Sequence, residues 1–342
     1  MLDVTLTLRV LTPLFMAGAD QTAAEIRAPS FRGLMRYWQR ALVGGLVGTD
    51  MKGLEKVIEA EKAVFGMTEI ASSVSIRISA ISHAPQEFME PISVRVGGRW
   101  QSTGKGYLLW SMTRSGRADR NNLKPARWYF PPGTTFKVTL STRGKDDTRL
   151  KQALAALWLL TQLGSIGSRS RHCAGSIVIQ EVDTNPTSLP FNFCTNIREL
   201  QEQLQTGITV ARGLYNHKLD KQSTREAHFD VLARGNCRIW ILQDNQPWRS
   251  AEEAMRILGE RLQNFRSHVN IRQRQIFGLP LRGVSSERRA SPLLLRVTKL
   301  QREQYVGIAV LFKTTSKNVF FNDYKIIEDW INEFHGKQEV ML

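Results

Sequence analysis

Residues 2–10 alternate without a break. Leu2, Val4, Leu6, Leu8 and Val10 take one side, and Asp3, Thr5, Thr7 and Arg9 the other. A period of two fits a strand with one face buried and one face wet. Thr12-Pro13 ends it, and Phe15 to Ala28 reads as a long loop. The period then changes. Ser30 is a good N-cap residue, and Phe31, Leu34, Met35, Trp38 and Leu42 follow as one apolar stripe at helical spacing. Gly44-Gly45 is expected to stop that helix. A second helix is expected over 53–65, with Leu54, Val57, Ile58, Val64 and Phe65 on one side. Strands are expected at 73–82 and 90–96, then a long basic insertion over 97–134. A strand from Phe136 to Thr142 and a strongly apolar helix from Leu150 to Leu163 come next. A glycine-rich segment from Gly164 to Gly175 leads into a strand from Ser176 to Val182.

This is the β-α-β-β-α-β order of a ferredoxin-like or RRM-like module, with the identity of the third strand left open. The second half repeats it more loosely. A strand at 236–242, a helix at 250–267, strands at 292–298 and 304–312 and a helix at 323–335 are expected, with a further helix around 196–206 before them. No sequence repeat is detectable, so the duplication is one of architecture. The expected fold class is α+β, two ferredoxin-like modules in tandem with insertions. Asp183 to Pro190, with prolines at 186 and 190, is the linker candidate. It divides the chain into modules at 1–190 and 191–342.

Charge narrows the function. The 342 residues carry 47 Lys and Arg against 31 Asp and Glu, a net +16. Such a balance favours a polyanionic partner, of which nucleic acid is the commonest for a cytoplasmic chain. With 42% hydrophobic residues the chain is globular and not a disordered tail. No apolar run reaches the length of a membrane span, and the start lacks the pattern of a signal peptide. Cys173, Cys194 and Cys237 are scattered, with neither metal spacing nor a disulfide framework, which points to a reducing cytoplasm.

The positive charge is clustered. Arg32, Arg36 and Arg40 recur every four residues on the helix after Ser30, beside its apolar stripe. No carboxylate lies between Glu25 and Asp50, so the local sequence offers no ion-pair partner. The alternative is a solvated helix face with distant salt-bridge partners. In the second cluster, Gly164, Gly167, Ser168, Arg169, Ser170 and Arg171 combine glycines, which admit a phosphate to the backbone, with hydroxyls and guanidinium groups. It is neither a Walker loop nor a dinucleotide fingerprint, since it follows a helix and precedes a strand. The alternative is a mobile connection. Two longer stretches complete the pattern. Arg95 to Arg127 holds eight basic residues and one acid, with Trp100, Tyr107 and Trp110 among them and Trp128 and Tyr129 directly after. Arg266 to Arg302 holds nine basic residues and one acid. Arginine and aromatic side chains together suit single-stranded nucleic acid.

Catalytic patterns are missing. The six histidines show no zinc spacing, so neither a metal nor another cofactor is expected. A metal-free ribonuclease needs only one histidine with a Lys or Tyr. His172 and His217 are the candidates, though a structural or solvated role is commoner for each.

Thr12-Pro13-Leu14-Phe15 followed by Arg27-Ala28-Pro29-Ser30-Phe31-Arg32-Gly33-Leu34-Met35-Arg36-Tyr37-Trp38 resembles the N-terminal signature of the RAMP superfamily of CRISPR proteins. It is most like the first-numbered subunit of the type III-B Cmr effector. Phe65-Gly66, the Gly164–Gly175 segment and Arg288-Arg289-Ala290-Ser291-Pro292-Leu293 are similar to further family features. The family loop usually continues Arg-Arg-Gly-aromatic-Gly, and Arg171-His172-Cys173-Ala174-Gly175 departs from it. The resemblance implies a non-catalytic RNA-binding subunit near the 3′ part of the CRISPR RNA, touching guide and target RNA beside other RAMP subunits. The expected RNA contacts are Arg32, Arg36, Arg40, Arg169 and Arg171, with Arg27, Arg288 and Arg289 next, and with Gly164, Gly167, Ser168 and Ser170 of the loop. Two rivals remain at this stage. One is a RAMP-type metal-independent endoribonuclease that processes CRISPR RNA. The other is a structural cap whose basic faces dock acidic neighbours.

Overall fold

The computed structural model describes residues 2–20, 22–91, 93–112, 127–143, 147–215, 227–281, 285–314 and 323–342. Two four-stranded antiparallel sheets organise them. Strands β1 (Leu2–Val10), β2 (Val74–Ser79), β3 (Thr135–Thr142) and β4 (Ile177–Val182) form the first, in the order β2-β3-β1-β4. Helices α1 (Ala28–Val47) and α2 (Met51–Phe65) connect β1 to β2. The short α3 (Gly104–Leu108) lies in the insertion between β2 and β3, and α4 (Thr148–Leu163) connects β3 to β4. After α5 (Ile197–Gly213), strands β5 (Cys237–Leu242), β6 (Leu293–Lys299), β7 (Tyr305–Phe312) and β8 (Gln338–Val340) form the second sheet, in the order β6-β7-β5-β8. Helix α6 (Ala251–His268) joins β5 to β6, and α7 (Lys325–Asn332) joins β7 to β8. The second sheet therefore has the strand order of the first, with every number raised by four.

The apolar pattern explains the layering. The alternation of β1 buries Val4, Leu6, Leu8 and Val10 on one face and leaves Asp3 exposed on the other. Helix α4 buries twelve of its sixteen residues. A helix apolar all round must be covered all round, and α4 lies between the sheets. All eight residues of β7 are buried. Val306, Ile308, Val310 and Phe312 share a core with β1, α1 and α4, whereas Ala309 and Leu311 pack with α6 and α7. Phe31 of α1 meets Phe136 of β3 at 5.8 Å between ring centres, and Trp38 of α1 meets Phe312 of β7 at 6.1 Å. The layers are thus first sheet, α1 with α4, second sheet, and α6 with α7.

Several boundaries differ from the sequence reading. Helix α1 begins at Ala28 with Arg27 in the N-cap position and Pro29 in its first turn, so Ser30 is not the cap. Gly44 and Gly45 lie inside the helix, which runs to Val47 and is capped by Gly48. They are small because the 229–233 segment crosses there. A Cβ on Gly44 would stand 2.7 Å from the Phe229 ring, and one on Gly45 2.3 Å from the Leu232 carbonyl oxygen. In α2, Asp50 caps the Gly53 amide at 2.7 Å. Val57, Val64 and Phe65 pack inward, while Leu54 and Ile58 face outward. Ser93–Val96 pairs with Arg99–Ser102 as a separate hairpin, so the third strand of the first sheet is Thr135–Thr142. The helix expected to end near 206 runs on to Gly213.

The insertion is anchored on the second half. Helix α3 crosses α6 at backbone distance, since a Cβ on Gly259 would lie 1.9 Å from the Gly104 carbonyl oxygen. Lys105 pairs there with Glu252 at 3.3 Å and with Glu90.

Candidate nucleic-acid interface

The glycine-rich segment is strapped to both halves of the chain. The Cys173 amide donates to the Leu295 carbonyl of β6 (2.8 Å), the Leu295 amide to the Arg171 carbonyl (3.1 Å), and the Val297 amide to Ser176 Oγ (3.0 Å). On the other side the Ser168 amide donates to the Phe15 carbonyl (2.7 Å) and the Gly175 amide to the Pro13 carbonyl (2.9 Å). Arg296 lies beneath, 1% exposed, donating from Nη2 to the Ile177 carbonyl (2.7 Å) and from Nη1 to the Thr161 carbonyl. It ties the end of α4 to the start of β4, and burial pulls its pKa down to about 9. Gly167, Arg169, Cys173 and Gly175 all take left-handed backbone. A Cβ on Gly167 would meet the Phe15 carbonyl oxygen at 2.3 Å, and one on Gly164 the Trp38 indole nitrogen at 2.6 Å. These glycines let the chain approach itself, and the loop buries Ile166, Cys173 and Ala174 while Arg169, Ser170 and Arg171 stay half-buried.

The three motif regions meet at Arg171. Its Nη1 donates to the Ser291 carbonyl, and its guanidinium lies 5.8 Å from the centre of the Tyr37 ring of α1. Nη2 pairs with the Asp230 carboxylate at 3.2 Å, and the Tyr37 hydroxyl donates to the same oxygen at 2.7 Å. Burial, and then the Asp230 charge, push the Tyr37 pKa well up, so the hydroxyl stays a donor. Arg171 is therefore oriented by partners from α1, from the 229–233 segment and from Ser291 just before β6.

Two cavities open on either side of this junction. The smaller, about 410 Å³, is lined by Tyr37, Arg40, Arg171, Asp230, Arg289 and Ser291 among others. The larger, about 800 Å³, is bounded by Tyr107, Trp110, Arg169, Arg171, Arg266 and Arg289, with Ser170 and His172 between them. Among the described residues, four arginines and no carboxylate line this larger cavity. Arg169 donates from Nε to the Leu108 carbonyl (2.8 Å). Burial, with Arg266 adding to it, lowers its pKa to about 10, which leaves it charged at neutral pH. Arg266 lies 5.2 Å from the Phe277 ring centre and donates to the Tyr107 hydroxyl (2.7 Å), while its buried Nε has no partner. Arg289 donates to the Tyr324 hydroxyl (3.1 Å), and its buried Nη1 also has no partner. Among the described residues, no carboxylate pairs with Arg169, Arg266 or Arg289. Half-buried cations with unspent donors and no acid partner among the described residues have the chemistry an anion would complement.

The other expected contacts sit elsewhere. Glu61 of α2, 10% exposed in its side chain, takes Arg36 (2.6 Å from Nε) and Arg40 (3.0 Å), so the α1 arginines do have an ion-pair partner. Only Arg40 reaches a cavity. Arg27 pairs with Glu25 at 3.3 Å. Arg32 keeps a buried Nε without a partner but lines neither cavity. Gly164, Gly167, Ser168 and Arg288 are also outside both linings. Tyr37, Asp230 and Trp110 were not singled out as site residues by the sequence, and Arg266 only as the start of a basic stretch. Asp230 has no local signal at all.

Burial, with Arg169, Arg266 and Arg171 adding to it, pushes the His172 pKa down to about 3. The imidazole is neutral at physiological pH and is no general acid there. His217 lies outside the described residues. Among the described residues, no group of three His, Cys, Asp or Glu is placed to hold a metal, and no helix is long and apolar enough to cross a membrane. The outer face of the first sheet carries Thr5, Thr7, Ser75, Arg77, Lys137 and Thr139, without an aromatic on which a base could stack. Charge and aromatics gather at the junction of the two halves instead.

The family model of the RAMP superfamily matches residues 7–178, half the chain, from β1 through α1 and the glycine-rich segment into β4. The chain belongs to the RAMP superfamily. This RAMP protein is 28% identical over 299 residues to CRISPR system Cmr subunit Cmr1-1 of Pyrococcus furiosus, covering 85% of the chain and 81% of the relative. It is 30% identical over 192 residues to Cmr1-2 of the same organism, covering 53% of the chain and 96% of the relative. The RAMP protein's fold is that of apo Cmr1 from Pyrococcus furiosus, with a TM-score of 0.70, 23% identity and 99% of both chains covered. A chain of the type III-B Cmr-beta complex bound to cognate target RNA matches with a TM-score of 0.56 and 13% identity, over 97% of this chain and 98% of the other.

Proposed function

We propose that this protein is the Cmr1-type subunit of a type III-B CRISPR effector and that it binds RNA there without cutting it. Its partners are CRISPR RNA, target RNA and other RAMP subunits, with a seat near the 3′ end of the CRISPR RNA, in the cytoplasm. The observation that carries the reading is the larger cavity, where Arg169, Arg171, Arg266 and Arg289 converge with Tyr107 and Trp110 and, among the described residues, only Arg171 has a carboxylate partner. Phosphate contact gives affinity without base reading, as a protein that accepts any guide requires. The likeness to Cmr1 proteins of Pyrococcus furiosus, and to a chain of an RNA-bound type III-B Cmr-beta complex, supports the same assignment. The reading takes the two halves, 1–190 and 191–342, as tandem ferredoxin-like modules. Their common strand order supports this, and the RNA path then runs across the seam between them.

Fluorescence anisotropy with unstructured single-stranded RNA tests it, with a gel of the same mixtures. Bound and intact RNA is expected. RNA cut without added metal would move the assignment to a nuclease, and absence of binding would move it to a docking cap.

A further inference from the structure

Trp110 is 66% exposed, although it stands between residues that are buried. Leu108 and Leu109 are 0% exposed and Met112 8%. Their apolar side chains fix the turn, closed by the Met112 amide donating to the Leu109 carbonyl at 3.0 Å. Ser111 adopts φ +76° there, a conformation that costs a non-glycine residue energy and persists only where its surroundings enforce it. The Leu108 carbonyl, two residues before the indole, accepts from Arg169 Nε. The turn that presents Trp110 is thus tied to the guanidinium group at the cavity wall.

Trp100 and Trp128 are exposed as well, but neither lines either of the two cavities at the junction. Trp110 faces a recess of about 800 Å³, within the range of about 300–1,000 Å³ usual for small-ligand sites. A large aromatic face at the mouth of a recess lined by four arginines suits a ligand with a flat base and a phosphate. A protein surface docking on the indole would have to meet those arginines with several acidic groups at once, whereas a nucleotide brings its phosphate and its flat base together.

We propose that Trp110 is a base-stacking residue, which receives one unstacked nucleotide of single-stranded RNA while Arg169 and Arg266 hold its phosphate. This rests on the RNA-binding reading of the same cavity. Stacking tolerates any base, because every base has a π face. The subsite therefore holds a nucleotide in place without reading its identity.

The test compares Trp110→Ala and Trp110→Phe with the unchanged protein. Two probes are used, an oligouridylate and a ribose-phosphate oligomer of the same length without bases. For the oligouridylate, Trp110→Ala is expected to weaken binding by about 5- to 100-fold, and Trp110→Phe to keep most of the affinity. For the abasic oligomer, all three proteins are expected to bind alike, with unchanged melting temperatures. Equal binding of oligouridylate by Trp110→Ala and the unchanged protein overturns the stacking role, and the exposed indole is then left for a protein neighbour. Failure of the unchanged protein to bind either oligomer overturns the RNA-binding reading itself.

Discussion

The Asp230 carboxylate lies 3.2 Å from the Arg171 guanidinium and, among the described residues, is the only carboxylate lining either of the two cavities. It holds Arg171 in place and cancels its charge at the same time. Asp230→Asn keeps an acceptor for Tyr37 and releases the charge. The expected result is a loss of about 1–3 kcal/mol in urea unfolding. The salt dependence of RNA binding becomes steeper by about 0.7 in log–log slope, as Arg171 gains a phosphate. An unchanged slope would mean that Arg171 is a structural cation only.

Glu61 is shared by Arg36 and Arg40. Glu61→Gln removes the carboxylate charge from both while keeping similar shape. We expect about 1–2 kcal/mol lower stability, discounted because both arginines are more than a third exposed, and tighter RNA binding at low salt through Arg40. Arg36→Ala is expected to lower stability without altering the salt slope, since Arg36 lines neither cavity.

His172 is held neutral, with its folded pKa near 3 against an unfolded value of about 6.5. Above pH 6.5 both states are neutral and the group contributes nothing to the pH dependence. Below it the unfolded chain binds a proton that the folded chain refuses, so stability falls with pH, by up to about 1.4 kcal/mol per unit, until about pH 3. Urea midpoints at pH 7 and pH 4.5 should therefore converge for His172→Gln relative to the unchanged protein. Parallel pH profiles for the two proteins would refute the buried neutral imidazole.

Gly175 combines φ +63° with a backbone oxygen 1.8 Å from where a Cβ would stand. Gly175→Ala is expected to displace the glycine-rich loop, lower the melting temperature and abolish RNA binding together. Gly133 also has positive φ, at +92°, but open space around it. Gly133→Ala is the control and should cost about 1 kcal/mol and leave RNA binding intact.

Much of this was legible because it rests on local periods. The alternation of β1 and the all-round apolar character of α4 each report the layers that cover them. Strands 236–242, 292–298 and 304–312 emerged within a residue or two of their bounds. What escaped depends on distant partners. Gly44-Gly45 reads as a stop until the 229–233 segment is seen crossing α1. Ser93–Val96 looks like a sheet strand because pairing leaves no mark in a single sequence. The last strand, Gln338–Val340, is too short to show a period. The arginines of α1 looked unpaired because Glu61 comes from the next helix. Asp230, 59 residues from Arg171 and 193 from Tyr37, had nothing near it to signal its role. The arginines of the glycine-rich segment and of the 288–289 stretch were visible as charge, and only the fold shows that Arg169, Arg171 and Arg289 share a wall with Arg266.

The most direct test of the central claim is the affinity for single-stranded RNA measured across a salt series. With Arg171 held by Asp230, Arg40, Arg169, Arg266 and Arg289 offer about four phosphate contacts, so log K should fall with log salt at a slope of roughly −2.8. Glutamate at both Arg169 and Arg266 should flatten the slope and weaken binding at every salt concentration. A flat dependence for the unchanged protein, or a slope that survives both substitutions, would contradict the assignment of this cavity to RNA.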